Sequence, residues 1–143
     1  MAVYVDDMEA QYGRMNMCHM LADSDEELHS MARHIGVARR WHQKPGTARS
    51  HYDICLSKKA LALAVGAVAI TWKQASAMTA RRRETGEMGK PCDAIAWLHA
   101  FNAEKRKAAA EAVAAAKAPS AATEAEGTPP AQPVEQLALF KTP

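Results

Sequence analysis

A change in composition at Pro119 limits how much of this chain can fold. From there the 143-residue sequence is dominated by Pro, Ala, Thr and Glu, and large apolar side chains return only near its end. A segment with little apolar surface to bury does not recover the entropy that it loses on ordering. We therefore expect a disordered linker over 119–135, with a reach of about 20–25 Å. The folded domain is therefore expected to lie before Pro119.

Short apolar runs in the first half predict the strands of a small domain over 1–86. They lie at 2–5, 15–22 and 68–70, and the first ends in two carboxylates, Asp6 and Asp7. Helical segments alternate with these runs. The pattern indicates an α/β or α+β domain with a small sheet of about three strands and three helices.

The helices are predicted from capping residues and apolar spacing. Ser24 with Glu27 and Thr71 with Gln74 have the spacing of a capping box. A helix over 56–65 is expected between them. Its predicted inward residues are Leu56, Ala60, Leu61, Ala64 and Val65. A long Ala-rich helix over 87–118, capped by Asp93, is expected to follow the domain.

Charge is distributed unevenly along the chain. The first 32 residues contain seven acidic side chains and one basic one, whereas 33–83 contain eleven Lys or Arg and a single acid, Asp53. A basic middle suits a polyanionic partner, with DNA as the first candidate. The alternative is an ordinary solvated surface that the acidic N-terminal part balances in three dimensions.

The composition also bears on where the protein works. The three cysteines are widely spaced and form no CxxC pair, so neither a disulfide framework nor a cysteine zinc site is indicated. The N-terminus lacks a basic region followed by a long apolar run, and no stretch is long enough to span a bilayer. A cytoplasmic protein with no membrane partner is expected.

An aromatic side chain among cations favours nucleic-acid binding. Trp41 can stack on a base while neighbouring Lys and Arg hold phosphates. The alternative is a tryptophan that covers the edge of the domain. The predicted nucleic-acid-binding residues are Arg39, Arg40, Trp41, Lys44, Arg49, Arg81, Arg82 and Arg83.

Seven short motifs in the first 80 residues resemble those of a family found in bacteria and their phages, the domain of unknown function numbered 4031. They are Val3-Tyr4-Val5-Asp6-Asp7, Cys18-His19-Met20, Ala22-Asp23, Glu27-Leu28-His29, Ile35-Gly36, His51-Tyr52-Asp53 and Gly66-Ala67. Many members have Trp-Ser-His where this chain has Met17-Cys18-His19, so Cys18 indicates no special chemistry. The resemblance implies a compact domain but supplies no activity.

Four polar residues at these motif positions suggest a metal site. Asp6, His19, His51 and Asp53 carry the oxygens and nitrogens that bind Mg²⁺, Mn²⁺ or Zn²⁺, with Arg14 or Lys58 available for a phosphate. The same four are candidate catalytic residues of a nuclease or phosphoesterase. The alternatives are structural: Asp6 can begin a turn and Asp53 can cap the helix after it. The spacing matches no diagnostic metal motif.

The C-terminal residues Gln136, Leu137, Leu139 and Phe140 resemble the Gln-Leu-x-Leu-Phe peptide that docks bacterial replication and repair proteins on the sliding clamp. The resemblance implies that the Gln136 amide bonds at the pocket entrance and that the apolar side chains fill a cleft. The alternative is a last turn or strand over 136–140 that folds back on the domain.

Together these patterns predict a DNA-metabolism accessory protein of a phage or bacterium, tethered to the DNA polymerase sliding clamp. Tethering raises local concentration without new contacts on the domain. Within that frame the domain is either a metal-dependent nuclease or phosphoesterase, or a noncatalytic adaptor. A third hypothesis is a small-molecule or nucleotide-binding domain whose tail is incidental.

Overall fold

A computed structural model of the chain describes residues 2–117. The predicted linker over 119–135 and the peptide over 136–140 lie outside these residues. The elements, in chain order, are β1 (Val3–Val5), β2 (Ala10–Tyr12), β3 (Met15–Ala22), α1 (Asp25–His34), a 3₁₀ turn (Arg39–Trp41), β4 (His42–Gln43), β5 (His51–Cys55), α2 (Leu56–Ala64), β6 (Val68–Ala69), α3 (Trp72–Thr85) and α4 (Pro91–Lys117). The predicted mixed α/β class is confirmed, with more strands than the three expected.

The sheet is built around its longest strand, β3. The strand order is β4-β5-β3-β1-β6, and β2 also pairs with β3. Among the strands within residues 2–117, β1 and β6 pair in parallel and the other pairs are antiparallel. β1 pairs with 20–22 and β2 with 15–17 on the same side of β3. The hydrogen-bond ladder on this side of β3 is therefore interrupted between β1 and β2, where the connecting segment begins at Asp6.

Two of the predicted caps are found, one of them complete. At α3 the Thr71 hydroxyl accepts from the Gln74 amide at 3.1 Å, and the Gln74 side chain accepts from the Thr71 amide at 2.9 Å. At α1 the Ser24 hydroxyl accepts from the Glu27 amide. The return bond of a capping box, from the Ser24 amide to the Glu27 side chain, is not formed within residues 2–117. The long helix starts at Pro91 rather than at a cap on Asp93, because Pro suits the first helical position.

Each face of the sheet carries its own core. One face, with Val5, Met20 and Tyr52, packs under α1 and α2. On the opposite face Tyr4 and Leu21 pack against residues of α3 and α4. Since side chains alternate along a strand, neighbouring residues of β1, β3 and β5 serve different cores. The result is a three-layer arrangement in which the second face is covered only in part.

The predicted inward face of α2 is wrong. Leu56, Leu61 and Val65 are exposed, whereas Ala62 is fully buried and Leu63 packs on the first core. The half-buried stems of two lysines complete the inward side. Lysine can cover apolar surface with its methylenes while its amine reaches a polar partner, so spacing of apolar residues alone misidentified this face.

The long helix contributes only its first turns to the core. Ala94 is buried, and Ile95 and Leu98 pack against the second core. From residue 103 to Lys117 the described helix is exposed throughout, as its loss of large apolar residues predicted. Within residues 2–117 no helix combines the length and hydropathy that a membrane span needs.

Candidate metal centre

Strand register brings three of the predicted site residues together on the open part of the second face. His19 of β3 lies directly opposite Asp53 of β5. His51 is two residues from Asp53 on the same strand, so its side chain is on the same face. The exposed fractions are 35% for His19, 33% for Asp53 and 16% for His51. The cluster is therefore formed by the sheet itself and remains reachable from solvent.

The two imidazoles turn the same ring nitrogen toward one carboxylate oxygen. Asp53 Oδ1 lies 3.6 Å from His19 Nε2 and 3.4 Å from His51 Nε2. All three candidate ligand atoms lie within 4.8 Å of one another. Ligands about 2.1 Å from a tetrahedral zinc ion are about 3.4 Å apart. The cluster is close to the size that one metal ion requires.

The opposite nitrogen of each ring is held by an acceptor. His19 Nδ1 lies 2.8 Å from Asp6 Oδ2, and His51 Nδ1 lies 2.6 Å from the Arg49 carbonyl oxygen. Neither an ionised carboxylate nor a carbonyl can donate, so each Nδ1 carries a hydrogen, and in the neutral ring each Nε2 keeps a lone pair for a metal. Metal-binding histidines in proteins have this outer hydrogen bond almost without exception.

Asp6 is buried behind His19 rather than beside the other candidate ligands. Its side chain is 1% exposed, and Oδ1 accepts from the backbone amides of His19 at 2.8 Å and Met8 at 3.2 Å. These bonds satisfy the backbone where the ladder between β1 and β2 is interrupted. The bond from Met8 is a local side-chain turn, which agrees with the structural alternative for Asp6, and the same carboxylate also orients the imidazole of His19.

The Asp6–His19 pair shifts the pKa of both partners. Mainly through its hydrogen bond to Asp6, the pKa of His19 is raised, although burial opposes this. Burial acts to raise the pKa of Asp6, but the hydrogen bonds from His19 and Met8 outweigh it and lower the pKa. An ionised Asp6 makes the Nε2 atom of His19 a better electron donor to a metal.

Two residues that the sequence did not single out complete the surroundings. The Gln43 side-chain amide donates to Asp53 Oδ2, which leaves Oδ1 toward the imidazoles. Lys59 Nζ donates to the Asp6 carbonyl at 2.9 Å. Gln43 faces the site only because β4 pairs with β5, and nothing in its local sequence signals this. Lys59 reaches the Asp6 carbonyl because it lies one turn into α2.

Lys58 was considered as a phosphate-binding residue of the metal site, but its amine is bonded to another part of the chain. Its Nζ donates to the Ile35 carbonyl at 2.7 Å, at the end of α1. The cap of α2 is Cys55, with no side-chain bond, so the alternative of Asp53 as a helix cap is wrong. Arg14 lies exposed in the turn between β2 and β3.

The predicted nucleic-acid-binding residues are divided between two regions. Trp41 is 59% exposed, and the Arg40 guanidinium lies over its ring at 5.3 Å. Arg39, Lys44 and Arg49 are exposed nearby in sequence. This arrangement is compatible with stacking on a base.

The second region is the arginine run of α3, whose side chains contact the domain. Arg82 donates to the Ala22 carbonyl, Arg81 lies over Trp97 at 5.6 Å, and Arg83 pairs with Glu84 at 3.2 Å. Arg81 and Arg82 are half-buried. Any nucleic-acid contact from this region therefore depends most on Arg83.

A serine, a histidine and an aspartate also meet, but not in the order of a catalytic triad. Ser50 Oγ donates to Asp25 at 2.6 Å and lies 2.7 Å from His42 Nε2. Since its hydrogen is committed to Asp25, the serine accepts from His42. Ser50 is fully buried. The chain of bonds is structural, because a nucleophilic serine must give its proton to the histidine and face solvent.

Comparison with known proteins identifies the family to which this chain belongs. Residues 3–82, more than half of the chain, match the family described as Protein of unknown function (DUF4031). The chain belongs to the DUF4031 family. No curated protein and no solved structure is detectably similar to it. All four residues Asp6, His19, His51 and Asp53 lie within the DUF4031 match.

Proposed function

We propose that this DUF4031 domain is a metal-dependent phosphoesterase that acts on nucleic acid. The observation that carries the proposal is the matched orientation of His19 and His51. Each ring gives its Nδ1 hydrogen to an acceptor and turns Nε2 toward Asp53. Two imidazoles with unbonded nitrogens beside a carboxylate are unfavourable unless a cation or proton fills the space between them.

Zinc is the metal that this ligand set favours among the expected ions. Imidazole nitrogen suits zinc, while Mg²⁺ prefers oxygen ligands. Catalytic zinc sites use three protein ligands and leave a position for water, and two histidines with one carboxylate is a known set. The ion would supply a water-derived nucleophile at neutral pH. His19, His51 and Asp53 would hold it, with Asp6 as the orienting group.

Phosphate esters are the substrate class that suits the surrounding charge. Asp53 is the only acid among residues 33–83, and it belongs to the candidate centre. The remaining charges of that segment are cations, including Arg40 beside the exposed Trp41. Cations with an aromatic platform bind single-stranded nucleic acid with little sequence preference. We therefore infer cleavage that is not sequence-specific.

Metal binding is the first test of the proposal. Protein stripped with a chelator is titrated calorimetrically with Zn²⁺ and with Mn²⁺. We expect one site per chain, lost in His51→Ala and Asp53→Asn, and weakened about 10–100-fold in Asp6→Asn because it orients a ligand. His99→Ala, an exposed histidine on α4, is the matched control. Stoichiometric zinc binding that persists in His51→Ala would place the metal elsewhere.

Activity is the second test. Labelled single-stranded DNA and an activated phosphodiester are incubated with the metal-loaded protein. Hydrolysis should require metal and should disappear in His51→Ala and Asp53→Asn proteins whose circular dichroism is unchanged. If both variants bind DNA like the wild type and neither they nor the wild type cleave it, the noncatalytic adaptor hypothesis replaces the enzyme.

The C-terminal peptide supports a second function, docking on the bacterial sliding clamp. We propose that Gln136, Leu137, Leu139 and Phe140 bind the clamp and hold the domain near replicating DNA. The support is the motif in the sequence, since these residues lie outside the described part of the chain. Immobilised clamp should retain the wild type and release Leu139→Ala/Phe140→Ala. The control Lys141→Ala/Thr142→Ala keeps the motif and should be retained like the wild type. Equal retention of all three proteins would contradict the docking hypothesis.

A further inference from the structure

A pocket of about 380 Å³ opens on the face of the sheet opposite the candidate metal centre. It is lined by Arg33, Arg39, His29, Tyr52 and the segment 36–38. Tyr52 lies between His51 and Asp53 in β5, so its ring points away from both. The pocket and the candidate metal centre are therefore separated by the sheet and share none of these side chains.

The charge around the pocket is mainly positive, since two arginines line it. Among residues 2–117 no carboxylate pairs with Arg33 or Arg39. Lys58 adds a third cation, because its amine bonds to Ile35 and a side chain on Gly36 would lie 3.2 Å from it. That bond also offsets the partial negative charge at the C-terminal end of α1. One acid, Asp25, acts on His29 and Tyr52, and its carboxylate accepts from Ser50 Oγ at 2.6 Å.

His29 and Tyr52 supply a hydrogen-bond donor to the same pocket. His29 Nδ1 and the Tyr52 hydroxyl are 2.7 Å apart. If the hydroxyl donates, the Nε2 hydrogen of a neutral His29 is free, and if His29 donates, the hydroxyl hydrogen is free. Burial and the neighbouring Arg39 lower the pKa of His29, which favours the neutral ring. In both arrangements one donor remains for a ligand.

The neighbouring side chains fix these donors in place. His42 packs against His29 edge-on at 4.5 Å between ring centroids and stacks on Tyr52 at 5.2 Å. His42 is itself anchored through Nε2 to the buried Ser50. A pocket with positioned donors needs little ordering when a ligand binds, which favours affinity.

We propose that this pocket binds a small organic phosphate of nucleoside monophosphate size. Two guanidinium groups and one neutral donor match a phosphate, because arginine bonds its oxygens in pairs. The volume is in the range of small-molecule sites, larger than a phosphate alone requires. Val37 and Ala38 supply an apolar wall for the rest of the ligand. The ligand occupies this site whether or not metal is bound on the other face.

The test uses the full-length protein in the presence of a metal chelator. Adenosine monophosphate, inorganic phosphate and adenosine are titrated into ¹⁵N-labelled protein. We expect the monophosphate to shift the amide resonances of Gly36, Val37 and Ala38, phosphate to do so more weakly, and adenosine not at all. Arg33→Gln and Arg39→Gln should each weaken the monophosphate at least about tenfold.

The matched control is Arg106→Gln, which removes an exposed cation of α4 that does not line the pocket. Its affinity for the monophosphate should stay within about twofold of the wild type, since the charge is exposed and screened. An equal loss in Arg106→Gln would indicate nonspecific attraction between the ligand and the net charge of the protein. Unchanged affinity in both pocket variants, or loss only in His51→Ala, would overturn the proposal.

Discussion

At the scale of single residues, the buried carboxylate of Asp6 has the widest consequences. It satisfies two backbone amides where the ladder is interrupted and orients the imidazole of His19. A buried carboxylate is costly unless hydrogen bonds or a charge compensate it. Asp6 has both kinds of compensation, so the strand break and the candidate site depend on one side chain.

The first prediction concerns the titration of His19 in metal-free protein. Asp6→Asn keeps an oxygen acceptor but removes the charge, so the pKa of His19 should fall toward its ordinary value of about 6.5. Proton NMR of the imidazole as a function of pH measures this. Asp93→Asn, an exposed carboxylate on α4, is the control. An unchanged His19 titration in Asp6→Asn would contradict the assigned role of Asp6.

The same pair predicts how stability depends on pH. The raised pKa of His19 stabilises the fold below its unfolded pKa of about 6.5, and this contribution is lost as pH rises through the folded value. The lowered pKa of Asp6 stabilises the fold above its unfolded pKa of about 3.9, and this is lost as pH falls through the folded value. Metal-free protein should therefore unfold at lower urea above pH 7 than near pH 6, and this decline should be smaller in Asp6→Asn.

At the scale of elements, caps determine where helices begin and the sheet determines which sides they bury. α3 starts at a complete capping box, and α2 starts after Cys55 without any side-chain cap. α2 nevertheless forms, because Ala62 and Leu63 bury its inner side on the sheet. Packing can replace a cap, as helix stability in proteins comes mainly from tertiary contacts.

The capping box of α3 gives a prediction for stability. Thr71→Ala removes the hydroxyl that accepts from the Gln74 amide, and it should lower the free energy of unfolding by about 1 kcal/mol. Ser76→Ala, an exposed serine within the same helix, should change it by less than about 0.5 kcal/mol. Urea unfolding of both variants makes the comparison. Equal effects would show that α3 is held by packing alone.

At the scale of the whole molecule, the second core depends on a helix that follows the family match. The DUF4031 match ends at residue 82, yet Ala94, Ile95 and Leu98 of α4 pack with Tyr4 and Leu21. The joint before α4 is close-fitting, since the Arg81 guanidinium occupies the space that a side chain on Gly89 would need. The first turns of α4 are thus part of the folded unit.

Truncation tests this division of α4. A chain ending at residue 103 removes only exposed helix from the described part, so its unfolding temperature should match that of the full chain. A chain ending at residue 90 uncovers the second core and should lose about 3–5 kcal/mol, since each large apolar side chain contributes roughly 1.5–3 kcal/mol when fully buried. Calorimetry of both proteins decides the matter. Equal unfolding temperatures would mean that α4 adds nothing to the fold.

Local patterns in the sequence were sufficient for most of the elements. β1, β3, α1 and α3 are where apolar runs and caps predict them, because each depends on residues a few positions apart. β5 was missed, although His51, Tyr52, Asp53 and Ile54 alternate polar and apolar as a half-buried strand does. Because two of these four side chains are polar, the segment is not one of the short apolar runs that predict strands.

The sequence by itself determined which residue types were available for a metal site and that a folded domain precedes Pro119. Only the tertiary structure decided that His19 and Asp53 face each other, that Asp6 lies behind His19, and that α2 buries Ala62 rather than Leu61. The physical reason is that strand register and sheet packing depend on residues far apart in the chain. No pattern of neighbouring residues specifies which face of the sheet a side chain occupies or which distant residue it meets there.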